Sequence, residues 1–219
     1  MNIFDIIGPI MIGPSSSHTD GAVKIGRIAR ELLGEEPKKV LVQFHGSFAE
    51  TYRGHGTDKA IIAGLMGMMP DDLRIRDSLS LADHMKWSYS FETVNLKNVH
   101  PNTVLIEATG ATGKSVKVTG SSIGGGNIVM KRLNGLEVEF TGDYNTLVVF
   151  HKDTQGTIAM VTSLIGQEGI NIAQMKMYRM HRGGGAIMVI ETDQRFSEDL
   201  LFTITELPNV TDVRKIRRM

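Results

Sequence analysis

The sequence predicts an α+β chain in two parts: helices and an antiparallel sheet up to about Gly142, then a ferredoxin-like β-α-β-β-α-β module over 146–219. Three observations predict it. A serine cluster precedes a run with helical spacing, alternating strands follow from Ser88, and the pattern restarts near Asn145 in that new order.

The stretch IGPSSSHTDGAVKIGR opens the first part. Val23, Ile28, Leu32 and Leu33 share a helical face, and Gly34 is a natural stop, so a helix is expected from His18 or Thr19. Val40, Val42 and Phe44 alternate with Leu41, Gln43 and His45, as in a strand. Ser47 to Tyr52 reads as a short helix, and RGHGTD as a loop whose Thr57 and Asp58 cap the next one, Lys59 to Met69, ended by Pro70. Leu79 to Trp87 is another short helix. SYSFETVNL, TVLIEATG and KSVKVTGSS then carry the β-branched content of an antiparallel sheet. SSIGGGN is a glycine turn; without a following Lys-Ser/Thr it is no P-loop, and it reads as a hairpin loop rather than a nucleotide cradle. Asn134-Gly135 marks a second hairpin.

In the second part TLVVFHKD is a strand, Gln155 to Gln167 a helix closed at Gly169, and INIAQMKMYRM and AIMVIET a hairpin around Gly183 to Gly185. Ser197 to Leu207 is a capped helix and NVTDVRKI the last strand.

Composition narrows the function. The 219 residues carry 24 Lys and Arg against 24 Asp and Glu, so no net field draws nucleic acid or an anionic membrane. The RKIRRM end contains apolar Ile216 and reads as a strand end. No apolar run reaches a membrane span. The start, MNIFDIIGPIMIG, holds Asp5 and lacks the basic region and cleavage pattern of a signal peptide, so a cytoplasmic location is expected. The chain has no cysteine, which excludes disulfides, thiolate catalysis and any cysteine-held zinc or iron–sulfur centre built by this chain alone. With histidines few and scattered, no metal ligands are expected in this chain.

Hydroxyls of Ser15, Ser16, Ser17 and Thr19, beside free amides at a helix start, make a seat for a carboxylate or phosphate. An ordinary N-cap is the simpler alternative. His55 stands between two glycines that let a ligand approach its backbone closely. Both His18 and His55 suit proton transfer near neutral pH, or a structural hydrogen bond. Asp58 orients His55 or caps the next helix. His45, His84, His100, His151 and His181 read as surface or strand-end residues.

The second part resembles an ACT domain through HKDTQG, EGINIAQM and the order of its elements. The resemblance implies effector contacts at Asp153, Gln155, Gly156, Asn171 and Ile172, and dimerisation through this module. Gln155 stands where many members have proline. GPSSSHTDGAVKIGR with GHGTD resembles the beta chain of iron–sulfur-dependent bacterial L-serine dehydratases over the whole chain. This implies a first domain over 1–142 and a second over 146–219, the first an α/β sandwich similar to the allosteric substrate-binding domain of some phosphoglycerate dehydrogenases.

It also implies conversion of L-serine to pyruvate and ammonia, in serine catabolism feeding gluconeogenesis, without pyridoxal phosphate. A 4Fe–4S cluster with one iron free of cysteine would act as Lewis acid toward the substrate hydroxyl. Its cysteines must lie on a partner alpha chain. His55 is then expected as the base, His18 as an orienting or second catalytic group, and Ser15, Ser16, Ser17 and Thr19 as carboxylate donors. A non-catalytic serine-sensing dimer is the alternative. An independent hydrolase lacks a G-x-S-x-G elbow and an acid partner for a triad.

Overall fold

A computed structural model describes Gly13 and residues 15–219; the reading of the opening MNIFDIIGPIMI lies outside the described residues. The chain divides into two compact units, one ending at Thr141 and one running Gly142–Met219.

In the first unit Ser16–Asp20 forms a π-turn that runs directly into helix α1, Gly21–Leu33. Helical structure therefore begins earlier than His18, because the Ser15 carbonyl already accepts from the Thr19 amide at 2.9 Å. Val23, Ile28, Leu32 and Leu33 are buried, and Gly34 closes α1 in the left-handed region. Strand β1 is Pro37–His45, followed by α2, Gly46–His55, and α3, Thr57–Leu65. RGHGTD is thus not a loop. Its histidine ends α2, and Gly56 alone turns the corner at φ +69°.

Neither Thr57 nor Asp58 is the N-cap of α3; that position falls to Gly56. The expected helix to Met69 stops at Leu65, since the Met68 amide turns back to the Ala63 carbonyl and Gly67 is left-handed. A 3₁₀ turn at Leu73–Asp77 leads to α4, Ser78–His84, which ends before Trp87 because Lys86 takes φ +56°.

Strands β2 (Ser88–Thr93), β3 (Thr103–Gly110), β4 (Ser115–Gly124), β5 (Asn127–Leu133) and β6 (Leu136–Phe140) join β1 in a sheet ordered β2-β1-β3-β4-β5-β6. Its ladders are antiparallel except β1–β2. The chain crosses over through α2–α4 between those two strands, and a crossover of that length delivers a parallel neighbour. SSIGGGN is mostly strand, with only Gly125-Gly126 in the turn, where Gly124 pairs with Asn127. Asn134-Gly135 forms the other tight hairpin, with Leu133 opposite Leu136.

Helices α1 and α3 cross on one face of this sheet at two glycines. A β-carbon at Gly26 would stand 2.5 Å from the Ile61 carbonyl oxygen. One at Gly64 would meet the Val23 carbonyl and lie 2.9 Å from Gly26 Cα. Only side-chain-free positions let the two backbones approach this closely. The crossing sets the start of α1 near the start of α3.

The second unit has strands β7 (Asn145–Lys152), β8 (Ile172–Arg179), β9 (Gly185–Thr192) and β10 (Val210–Ile216), with α5 (Thr157–Gln167) and α6 (Glu198–Thr205). The order β10-β7-β9-β8, antiparallel throughout, is the ferredoxin-like plan. Leu147, Val149, Val161, Ile165, Met188 and Ile190 form its core. Helix α5 starts two residues later than Gln155, with Gly156 as its N-cap at φ +86°.

Candidate active site

The site grows from three local decisions. Ser15 caps the π-turn, its Oγ accepting from the His18 amide at 3.4 Å. The His18 ring then lies with Nδ1 3.2 Å from Ser15 Oγ and Nε2 3.5 Å from Ser47 Oγ. Helix α2 buries Phe48 completely, stacks Tyr52 on Phe44 at 4.7 Å, and carries His55 at its end. The rings of His18 and His55 meet edge to face at 4.7 Å, and Phe48 touches His18 at 5.1 Å. Two histidines 37 positions apart in sequence (55 − 18) are thereby neighbours.

The four expected donors differ in availability. Ser15 is occupied with the turn and His18. Ser16 and Ser17 are half-buried, and no hydrogen bond engages their hydroxyls among the described residues. Thr19 is 2 % exposed, its Oγ1 has no partner, and Gly13 folds against it. Asp58 accepts from the Lys59 amide at 2.8 Å rather than reaching His55.

Burial lowers the pKa of His18, and the nearby His55 lowers it further, so His18 is neutral at pH 7. Burial raises the pKa of Asp20, against the attraction of Lys24. Asp20 is fully buried and holds Lys24 in an ion pair at 3.2 Å. Lys24 Nζ donates onward to the Gly126 carbonyl at 2.9 Å, so the β4–β5 hairpin is tied to α1. Ser47, Phe48, Asp20 and Lys24 were missed as parts of the site. Only the Asp20/Lys24 spacing of four left a trace in the sequence.

One pH effect follows. An unfolded histidine titrates near pH 6.5, whereas native His18 titrates lower. Between those values the unfolded chain binds more protons, so stability falls as pH drops below about 6.5. Asp20 and Asp58, both raised by burial, act oppositely in more acidic solution, where native protonation relieves their cost. Urea midpoints of wild type and His18→Gln across pH 5–7 test this: the variant's profile should be flatter.

Buried polar atoms without partners concentrate here. Thr19 Oγ1, His55 Nδ1, Thr57 Oγ1 and Ser122 Oγ make no hydrogen bond, the Asp20 carboxylate has Lys24 as its ion-pair partner but no aligned hydrogen bond, and all belong to the π-turn or to elements packed near it. Native proteins leave few such groups, and each calls for a reason such as an ordered water, a ligand or a catalytic role. Among the described residues no group of three or more His, Asp or Glu could hold a metal.

Comparison with known proteins decides the family. Residues 2–97 match the model of the serine dehydratase beta chain. The chain is 45% identical over 215 residues to "Probable L-serine dehydratase, beta chain" of Bacillus subtilis, covering 98% of this chain and 97% of that one. The chain belongs to the L-serine dehydratase beta-chain family. It is also 38% identical to the L-serine dehydratase beta chain of Peptoniphilus asaccharolyticus, over 97% of this chain and 96% of the relative. A D-3-phosphoglycerate dehydrogenase of Bacillus subtilis is 25% identical across 89% of this chain and 37% of its own length. No helix among the described residues is long and apolar enough to cross a membrane.

The expected effector residues of the second unit are not gathered in one place. Asp153 accepts from Arg179 Nη1 at 3.0 Å and the Gly183 amide at 3.1 Å; these contacts hold its pKa down, the Gly183 amide first. Gln155 and Gly156 are exposed beside it. Asn171 and Ile172 lie at the other end of the sheet: Ile172 pairs with Thr192, whereas Lys152 pairs with Gly185. His151 is no surface residue. It is 3 % exposed, facing inward on β7 with Nε2 unpartnered. His45 ends β1 and its Nδ1 accepts from the Leu96 amide at 3.1 Å.

Proposed function

We propose that this chain is the beta subunit of a cytoplasmic L-serine dehydratase that deaminates L-serine to pyruvate and ammonia with an iron–sulfur alpha chain. The reaction would serve serine catabolism and feed gluconeogenesis, without pyridoxal phosphate. The edge-to-face pair of His18 and His55 beside unspent hydroxyls carries the reading.

A 4Fe–4S cluster needs thiolates, and this chain has none. Its own residues do not fit the cluster, whose ligands belong to the alpha chain. This chain supplies binding and proton transfer. The hydroxyls of Ser16 and Ser17, with Ser15 and Thr19 behind them, hold the substrate carboxylate. His55, the more open of the two rings, takes the Cα proton. His18, made a weaker base by burial and by the neighbouring His55 and flanked by Ser15 and Ser47, orients the site rather than taking the proton. Loss of the hydroxyl, which leaves as water once it has gained a proton, gives aminoacrylate, which tautomerises to an imine and takes up water to give pyruvate and ammonia.

Anaerobic co-purification with the alpha chain tests the reading, comparing wild type with Ser16→Ala. The variant should raise KM for L-serine about tenfold, the worth of a charged hydrogen bond. Substantial pyruvate from the beta chain alone would overturn the subunit assignment. Serine binding without any turnover in the complex would favour the sensor instead.

A homodimer through the second unit is part of the proposal. Strand β8 is a sheet edge with Met175 40% exposed. A second copy paired antiparallel along β8 brings its Asn171 and Ile172 toward the first copy's Asp153, Gln155 and Gly156, completing an effector site that one chain leaves split. Met175→Lys should shift the chain toward monomer in sedimentation; an unchanged dimer would place the interface elsewhere.

A further inference from the structure

A cavity of about 350 Å³ lies in the first unit on the sheet face turned away from α1. The face is fixed by alternation along β4. A β-carbon at Gly120 would stand 3.0 Å from Ile25 of α1, and Ser122 packs on Gly21, so Lys117 and Thr119 point the other way. The β2–β3 connection folds over this side, anchored by the Leu96 amide on His45.

Leu96 and Val99 from that connection and Leu105 from β3 make apolar walls. Lys97, Lys117, Lys131 and Arg132 complete the lining, and no carboxylate among the described residues joins it. Three of these cations have acidic neighbours outside the cavity: Lys117 with Glu107 at 2.6 Å, Lys131 with Glu139 at 2.7 Å, Arg132 with Glu137 at 3.6 Å. Those carboxylates are 41–86 % exposed. Exposed pairs of this kind contribute little and exchange readily for another anion.

We infer that this cavity binds a small organic anion, a carboxylate or phosphate ester carried on an apolar body. The walls suit the body and the ring of cations suits the charge. The ligand sits on the opposite side of the sheet from the serine turn, so this inference stands apart from the proposed reaction.

Calorimetry on the full-length chain tests it with phenyl phosphate, phenylacetate, inorganic phosphate and benzyl alcohol as probes. Saturable one-to-one binding is expected for phenyl phosphate or phenylacetate, and whichever is tighter identifies the head group. Inorganic phosphate and benzyl alcohol should each bind about tenfold more weakly, lacking either body or charge. The exposed double variant Lys97→Ala/Lys117→Ala should weaken the organic anion about tenfold or more, and added salt should weaken wild-type binding. Val99→Asp, which sets a like charge in the wall, should abolish it. Absence of saturable binding by both organic anions, or equal binding by wild type and the double variant, would overturn the inference.

Discussion

Co-purified with its alpha chain, the His55→Ala subunit is expected to lose about 10²- to 10⁴-fold in turnover of L-serine, the usual contribution of a positioned base. The loss should fall on turnover more than on KM, because the hydroxyls proposed to hold the carboxylate belong to the π-turn and its Ser15 cap rather than to α2. Association with the alpha chain should persist, since Phe48 and Tyr52, not His55, anchor α2 to the rest of the unit. His18→Ala should cost less turnover but more stability, as it empties a ring position packed on both Phe48 and His55. Unchanged turnover in His55→Ala would remove the base assignment and leave the subunit reading intact.

The second large effect is structural. Gly64→Val should destabilise the first unit by about 3 kcal/mol or more, the scale of severe overpacking. Its β-carbon would press on the Val23 carbonyl and stand 2.9 Å from the Arg27 amide nitrogen, both backbone groups that cannot step aside. Chemical denaturation followed by circular dichroism would read the loss. A melting midpoint equal to wild type would mean that the α1–α3 crossing opens without cost. Any separation of these helices also moves the π-turn away from α3, so residual serine turnover in the complex should fall together with stability.

Much of the fold was legible because its signals are local. The apolar positions Val23, Ile28, Leu32 and Leu33 mark α1, Asn134-Gly135 marks a hairpin, and the restart near Asn145 marks the ferredoxin-like plan. What escaped depends on contacts between distant segments. SYSFET looks like any strand, and only its placement beside β1 makes it parallel. Gly54 and Gly56 flank His55 as in a loop, yet the segment continues α2, with only Gly56 left-handed. At the site, His18 and His55 stood out by composition, but Ser47 lies 29 residues from His18 and carries no local sign of reaching its ring. The split of Asp153 from Asn171 was likewise hidden, since only sheet register reveals which end of a strand a turn occupies.

The orphaned atoms around the π-turn have a consequence for how this polypeptide behaves in company. Each buried hydroxyl left without a partner, at Thr19, Thr57 and Ser122, raises the free energy of the isolated subunit by about 1–3 kcal/mol. A binding partner that matches even two of them draws the folded population toward itself, by linkage. The melting temperature of the first unit is then a gauge of assembly. It should climb when the alpha chain docks, even in a catalytically dead variant, and orphaned subunits should be the ones that cellular proteases clear first.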